Sequence, residues 1–389
     1  MDWILECSGC GATAAPTGLP TTCPACGQPW LVRYPGRPAP SLTARAEVRR
    51  GQGMWRFRPF LPLTATESPV TLGEGDTPLL ETPRIGRRIG LADLWIKDEG
   101  ANPTGSFKSR GLSAAITRAV AAGARAFVIP TAGNAGVAAS AYAARAGAAI
   151  RVIAPATTPR PILDQVRTFG AELILLEGHI GDCGRAAKAW AAETGAFDLS
   201  TLREPYRIEG KKTLGLELAM QFGWSLPAAI IYPTGGGTGL IGMWKAFQEL
   251  REAGWVTDPL PRMYTVQSDG CAPMVRAFES GADHATPWAD PWTIASGLRV
   301  PGPLGDRLML RALRESGGGA IAVSDADLAE EARRGASEEG IDLAPEGGAS
   351  LAAARLLRAR GVLQAEARVV AFNTGAGWLY RAPGDLPSA

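Results

Sequence analysis

From Ala126 onward the chain alternates short apolar runs with longer helical stretches, and this alternation limits its fold more than any other feature. Ala126-Phe127-Val128-Ile129 precedes an alanine-rich run, Ala135 to Ala146. Ile150 to Ala154 precedes Pro159 to Phe169, and Leu173 to Leu176 precedes Asp182 to Thr194. Strand-length apolar runs joined by helix-length segments form a parallel sheet with helices on both faces. The pattern stops between Phe197 and Arg207. It resumes with Ala229 to Tyr232, Thr238 to Ala253 and Met263 to Val266, then Asp325 to Glu339, Gly347 to Ala359 and Val369 to Phe372. Leu94 to Lys97 is one further strand candidate. The expected fold class is α/β, with two open parallel-sheet domains and the active site in the cleft between them. The smaller domain is expected at residues 101–205. The larger is expected from residues 36–100 and 206–389, behind a small ribbon at 1–35.

Composition excludes several function classes. The 389 residues allow an ample core, and a net charge of +2 gives no signal for nucleic acid or membrane binding. No run of 18 apolar residues occurs, and the start, Met1-Asp2-Trp3-Ile4-Leu5-Glu6, lacks the basic region and apolar core of a signal peptide. A cytoplasmic location is the expectation. Two histidines, His179 and His284, leave little room for a Ser-His-Asp triad or a histidine-rich metal site.

Cys7-Ser-Gly-Cys10 and Cys23-Pro-Ala-Cys26 form two C-x2-C pairs with twelve residues between them. Thiolates at this spacing make two knuckles that close one tetrahedral zinc site. The alternatives are a disulfide pair, which a reducing compartment disfavours, and a metal-free knuckle. No Lys/Arg cluster accompanies the ribbon, so it reads as structural. Cys183 and Cys271 read as core residues.

Lys108 lies in the stretch Asn102-Pro-Thr-Gly-Ser-Phe-Lys-Ser-Arg-Gly111. Pro103-Thr104-Gly105 predicts a turn, Ser106 an N-cap, and Leu112 to Ala122 a helix. The unsatisfied N–H groups and positive dipole end of a first turn disfavour an ammonium. A neutral amine there suits Schiff-base chemistry with a carbonyl cofactor. The plain alternative is a solvated surface lysine.

Two further loops join a strand to a helix. Pro233-Thr234-Gly235-Gly236-Gly237-Thr238-Gly239 lets backbone N–H groups converge on a phosphate at a helix start. It has neither the Walker A ending nor G-x-G-x-x-G spacing. Thr131-Ala132-Gly133-Asn134-Ala135 offers backbone N–H groups and the Thr131 hydroxyl to a substrate carboxylate, or is an ordinary capping turn. Arg207, Lys211 and Lys212 are candidates for an anionic substrate group, or a solvated cluster opening a helix from Thr213.

Five segments in order carry a resemblance to pyridoxal-phosphate (PLP) enzymes of the tryptophan-synthase-β fold, and among them to the threonine synthases. They are Glu74-Gly75-Asp76-Thr77-Pro78-Leu79, the Lys108 stretch, Thr131 to Ala135, Gly235 to Gly239 and Asn373-Thr374-Gly375. The resemblance covers roughly residues 70 to 380. It departs at Ser109, where threonine synthases usually have Asp, and in a longer Ser200-to-Arg207 segment. It implies that Lys108 carries PLP as an imine beside Phe107, and that Asn134 bonds the cofactor's phenolic oxygen. It implies that Gly235, Gly236, Gly237, Thr238 and Gly239 hold its phosphate, and that Thr374 faces the pyridine nitrogen. Thr131 to Ala135, Ser200 and Arg207 would bind a small amino-acid substrate, in a homodimer.

Three functions stay open. The first is conversion of O-phospho-L-homoserine and water to threonine and phosphate. The second is dehydration of a β-hydroxy amino acid such as threonine, serine or phenylserine to a 2-oxo acid and ammonia. The third is a zinc-ribbon protein with a silent PLP fold that binds metabolites or partners.

Overall fold

In the computed structural model, residues 2–37 and 39–381 are described. Residue 1, Pro38 and residues 382–389, which belong to the expected domain ranges, lie outside them. Contacts divide the chain into two units. The first comprises residues up to Asp76, Asn102–Thr213 and the chain from Tyr380; the second comprises Thr77–Ala101 and Leu214–Leu379. Residues 36–76, expected with the larger domain, group with the unit that carries the ribbon and Lys108. Side chains tie them there: Arg37 Nε donates to the Asp2 carboxylate at 2.7 Å, and Trp55 Nε1 to Ser113 Oγ at 3.0 Å.

The first unit has two sheets. A three-stranded antiparallel sheet places Ile4–Cys7 between Thr13–Ala14 and Trp30–Arg33. A four-stranded parallel sheet runs in the order Glu172–Leu176, Ala149–Pro155, Ala126–Pro130, Phe197–Asp198. The strands expected from the apolar runs are all present. The two-residue strand Phe197–Asp198 was not expected, because it lies in the irregular stretch. It sits on the opposite side of Ala126–Pro130 from the other strands, so strand order reverses at this point. The loops after the two strands, Thr131–Ala135 and the one holding Ser200, therefore flank a switch point, where open α/β sheets bind ligands.

The second unit has one six-stranded sheet, in the order Gly319–Val323, Arg262–Ser268, Ala229–Pro233, Arg368–Asn373, Asp93–Asp98, Leu79–Glu81. All neighbours are parallel except the last pair. Order reverses again, between Ala229–Pro233 and Arg368–Asn373. Ile231 pairs with Ala371, and Thr234 and Thr374 each follow the end of one of these two neighbouring strands. The glycine loop and Thr374 thus share a second switch point.

Two helices matter most for the site. The lysine helix spans Lys108–Ala121, and the Tyr206 helix spans Tyr206–Gln221. The latter starts one helical turn or more before the expected Thr213. They touch backbone to backbone. A Cβ on Gly210 would fall on the Arg110 carbonyl oxygen and within 2.8 Å of Gly111 Cα. Backbone cannot move aside as a flexible side chain can. Gly210→Ala is expected to cost about 1–3 kcal/mol of stability by overpacking. Urea unfolding checks this, and an unchanged midpoint would contradict it.

Candidate active site

Lys108 is the first residue of its helix, and it is half-buried. The expected Ser106 cap is not made. Phe107 occupies the N-cap position with helical backbone angles (φ −56°, ψ −13°) and no side-chain cap bond, so Ser106 lies one residue too early. The Ser106 hydroxyl is instead buried with no hydrogen-bond partner in the protein. Lys108 Nζ lies 4.2 Å from the centre of the Phe107 ring, and Lys211 Nζ lies 4.1 Å from the same centre. Lys211 also donates to the Phe107 carbonyl. One buried ammonium thus grips the residue before Lys108. Ser109 pairs with the Thr104 hydroxyl at 2.7 Å, both buried.

The cationic cluster is not solvated. Arg207, Lys211 and Lys212 are all fully buried. Lys212 pairs with Glu209 at 2.6 Å and donates to the Phe60 carbonyl at 2.5 Å, so Lys211 and Lys212 serve the fold. Arg207 differs. Its Nη1 donates to the Leu199 carbonyl at 2.8 Å, while Nε and Nη2 are buried without a protein partner. Orphaned guanidinium donors are costly unless something accepts from them.

Thr131 does not offer a free hydroxyl. Its Oγ1 donates to the Gly133 carbonyl at 2.9 Å and accepts from the amides of Gly133 and Gly136 at 3.1 and 3.2 Å. A short loop entering a helix leaves the hydroxyl among its own amides. What remains for a carboxylate is the helix start at Asn134 and Ala135, whose first-turn N–H groups lack intrahelical acceptors. Asn134 Nδ2 reaches the Tyr380 hydroxyl at 3.4 Å, and its Oδ1 is buried without a partner. Ser200 is tied to Asp198, with amide and hydroxyl 2.8 and 2.5 Å from one carboxylate oxygen.

In the second unit the glycine loop opens a fifteen-residue helix, Thr238–Glu252. Gly237 takes the N-cap with φ +76°, a left-handed conformation open to glycine at little cost. Gly235 and Gly239 are buried, Gly236 half-buried, and Thr374 is 6% exposed. The loop thus places backbone N–H groups at a helix start, an arrangement that suits an anion.

The four ribbon sulfurs lie within 4.8 Å of one another, with Cys7 and Cys26 at 3.3 Å and Cys10 and Cys23 at 3.8 Å. Sulfurs about 2.3 Å from a central zinc stand about 3.8 Å apart, so the cluster fits that ion. Burial pulls the Cys7 thiol up, yet the amides of Cys10 and Gly9 and the adjacent thiols outweigh it and bring it down to about 6. Cys183 and Cys271 are fully buried, as expected of core cysteines.

A family model described as pyridoxal-phosphate dependent enzyme matches residues 70–375. The chain belongs to that family. A threonine synthase of Methanocaldococcus jannaschii is 33% identical over 376 residues, covering 96% of this chain and 92% of that one. One from Synechocystis sp. is 34% identical over 363 residues, covering 93% of this chain and 87% of that one. Among solved structures, maize serine racemase superposes with a TM-score of 0.69 at 22% identity, over 87% of this chain and 94% of that one, a likeness of fold. A threonine deaminase from the source abbreviated T.th. superposes with a TM-score of 0.64 at 26% identity, over 87% of this chain and 98% of that one. The reading as a silent fold falls away: the chain is a PLP-dependent enzyme. Its residues fit the cofactor. Within the first unit Ser106 Oγ and Asn134 Oδ1 are buried polar atoms without a protein partner, and within the second the Gly237 helix start suits a phosphate.

Sequence reasoning missed Glu204. It lies among polar residues that read as surface, yet it is 2% exposed and accepts the amides of Tyr206 and Arg207 at 2.7 and 3.1 Å. Burial pushes its carboxyl up to about 7, although Arg207 and these amides pull it down. The folded chain holds this proton to higher pH than the unfolded chain. The stability it contributes is therefore full in acid and lost as pH rises from the ordinary carboxyl range to about 7. At about 1.4 kcal/mol per pKa unit, the loss is roughly 3 kcal/mol. Glu204→Gln is expected to flatten that decline in urea titrations between pH 4.5 and 7, a span set by the carboxyl's ordinary and shifted values. An identical decline in the variant would contradict the assignment.

Proposed function

We propose that this enzyme is a threonine synthase, converting O-phospho-L-homoserine and water to L-threonine and phosphate. The observation that carries the reading is Arg207, a fully buried guanidinium with two unpartnered donors. A phosphate dianion accepts such donors and departs as a stabilised leaving group. A hydroxyl substrate has no need of them. The many relatives named threonine synthase at 33–35% identity add support. The likeness to a threonine deaminase keeps one rival, dehydration of a β-hydroxy amino acid.

In this reading Lys108 holds the cofactor and, once released, takes the α-carbon proton as general base. When bound, PLP supplies the electron sink for the pair left at that carbon. The Gly235-to-Gly239 amides hold the cofactor phosphate, and Asn134 bonds its phenolic oxygen. The Thr374 hydroxyl offers the ring nitrogen a neutral partner. The helix start at Asn134 and Ala135 takes the substrate carboxylate, and Arg207 takes the phosphate that leaves. The ribbon cysteines Cys7, Cys10, Cys23 and Cys26 hold one structural zinc. Six free cysteines suit a reducing cytoplasm.

Incubation with O-phospho-L-homoserine is expected to release inorganic phosphate and threonine in equal amounts. Threonine, serine and phenylserine are expected to release little ammonia. Rapid 2-oxo acid formation without phosphate release would leave the PLP assignment standing and replace the substrate with a β-hydroxy amino acid. Arg207→Ala is expected to lower kcat/KM for the phosphorylated substrate on the order of a hundredfold, the worth of charged hydrogen bonds. Equal loss on an uncharged substrate would assign Arg207 to the fold.

A further inference from the structure

The ribbon is wired into the turn that carries Arg207. Its last strand, Trp30–Arg33, leads directly into Tyr34, whose hydroxyl donates to Glu209 at 2.5 Å. Glu209 lies two residues beyond Arg207 and pairs with Lys212 at 2.6 Å. Lys212 Nζ also stands 4.7 Å from the centre of the Tyr34 ring. The other end of the ribbon makes a second contact. Trp3 precedes the first strand, and its ring and that of Tyr206 lie 4.8 and 5.7 Å from the Arg118 guanidinium. Trp3, Leu5, Cys7, Cys23, Trp30 and Val32 share one core with Leu112, Ile116 and Tyr206. Two of the four sulfurs are thus core atoms packed with the lysine helix.

A ribbon of this size has three short strands, the shortest of two residues, and cannot bury enough surface to hold its shape alone. Packing against the lysine helix fixes Cys7 and Cys23, while Cys10 and Cys26 are exposed, so the sulfurs and what they bind supply the cross-link at that end. We propose that the four-cysteine ribbon is a metal-dependent brace for the turn that carries Arg207, acting through Tyr34 and Glu209. The ligand is one thiophilic divalent cation of the zinc class. Loss of the ion loosens the strand that presents Tyr34, and the Arg207 turn loosens with it. The helix at Ile180–Thr194 belongs to the same unit but packs in a separate core with Val128 and Ile153, and it serves as a control. The proposal rests on the reading of Arg207 as an anion site, and its test separates the two.

The cofactor-loaded enzyme is compared as isolated, after chelation, and as Tyr34→Phe, which keeps the ligands and the ring. Amide hydrogen exchange is followed at residues 206–213 and at 180–194, together with the dissociation constant for inorganic phosphate. The isolated enzyme is expected to hold about one zinc per chain. Chelation and Tyr34→Phe are each expected to speed exchange at 206–213 roughly tenfold, to weaken phosphate binding, and to leave 180–194 unchanged. Chelating Tyr34→Phe is expected to add little, because both act on one link. Protein isolated without metal, unchanged exchange at 206–213 in Tyr34→Phe, or fully additive effects would overturn the brace. If chelation unfolds the unit, exchange rises at 180–194 also, and Tyr34→Phe alone decides. An isolated enzyme that binds no phosphate would sink the anion-site reading, while the exchange data still decide the brace.

Discussion

The close crossing of the lysine helix and the Tyr206 helix is the constraint on which the catalytic half of this chain depends. Gly210 lets the two backbones meet at Arg110 and Gly111, and the crossing brings Lys211 to the Phe107 carbonyl. A Cβ on Gly111 would lie 3.0 Å from Lys211 Cε and 3.1 Å from the Arg207 carbonyl oxygen. The backbone that bears Arg207 is therefore fixed against the first turn that bears Lys108. A buried lysine makes a strong tether, because its ammonium loses water and needs a good acceptor in return. Here that acceptor is the carbonyl immediately before Lys108. Position, more than any unusual residue type, makes this lysine special.

Each unit repeats one topological device. A parallel sheet reverses its strand order, and the two loops at the reversal carry the polar groups. In the first unit these are Thr131–Ala135 and Ser200; in the second they are Gly235–Gly239 and Thr374. The helix starts at Asn134 and Thr238 follow from short strand-to-helix turns and supply N–H groups without side chains. Backbone binding of this kind tolerates much sequence change.

Much of this was visible in the sequence. Apolar runs located most of the longer strands, because a strand buried on both faces has no polar alternation to confuse, but the half-buried Gly319–Val323 was missed. The glycine loop and the lysine stretch were visible because turns have their own residue chemistry. The Tyr206 helix was half hidden. Pro205 and the charges around it look like a solvated loop, and only partners far along the chain, Tyr34 for Glu209 and Phe60 for Lys212, turn them into core. For the same reason Lys211 and Lys212 read as either anion ligands or a solvated cluster when they are buried tethers, and Glu204 went unnoticed. The strand Phe197–Asp198 is too short to announce itself, yet it creates the switch point. Local chemistry is written locally; the pairing of buried charges is written only in the fold.

The account stands on Lys108 as the residue that carries the cofactor, with Lys211 as its tether on the same aromatic ring. The most direct measurement is borohydride reduction of the native enzyme, followed by peptide mass mapping of the lysine that bears the pyridoxyl group. The account predicts label on Lys108 alone, in the peptide that contains Phe107. Label on Lys211, or on Lys97 in the other unit, would contradict it.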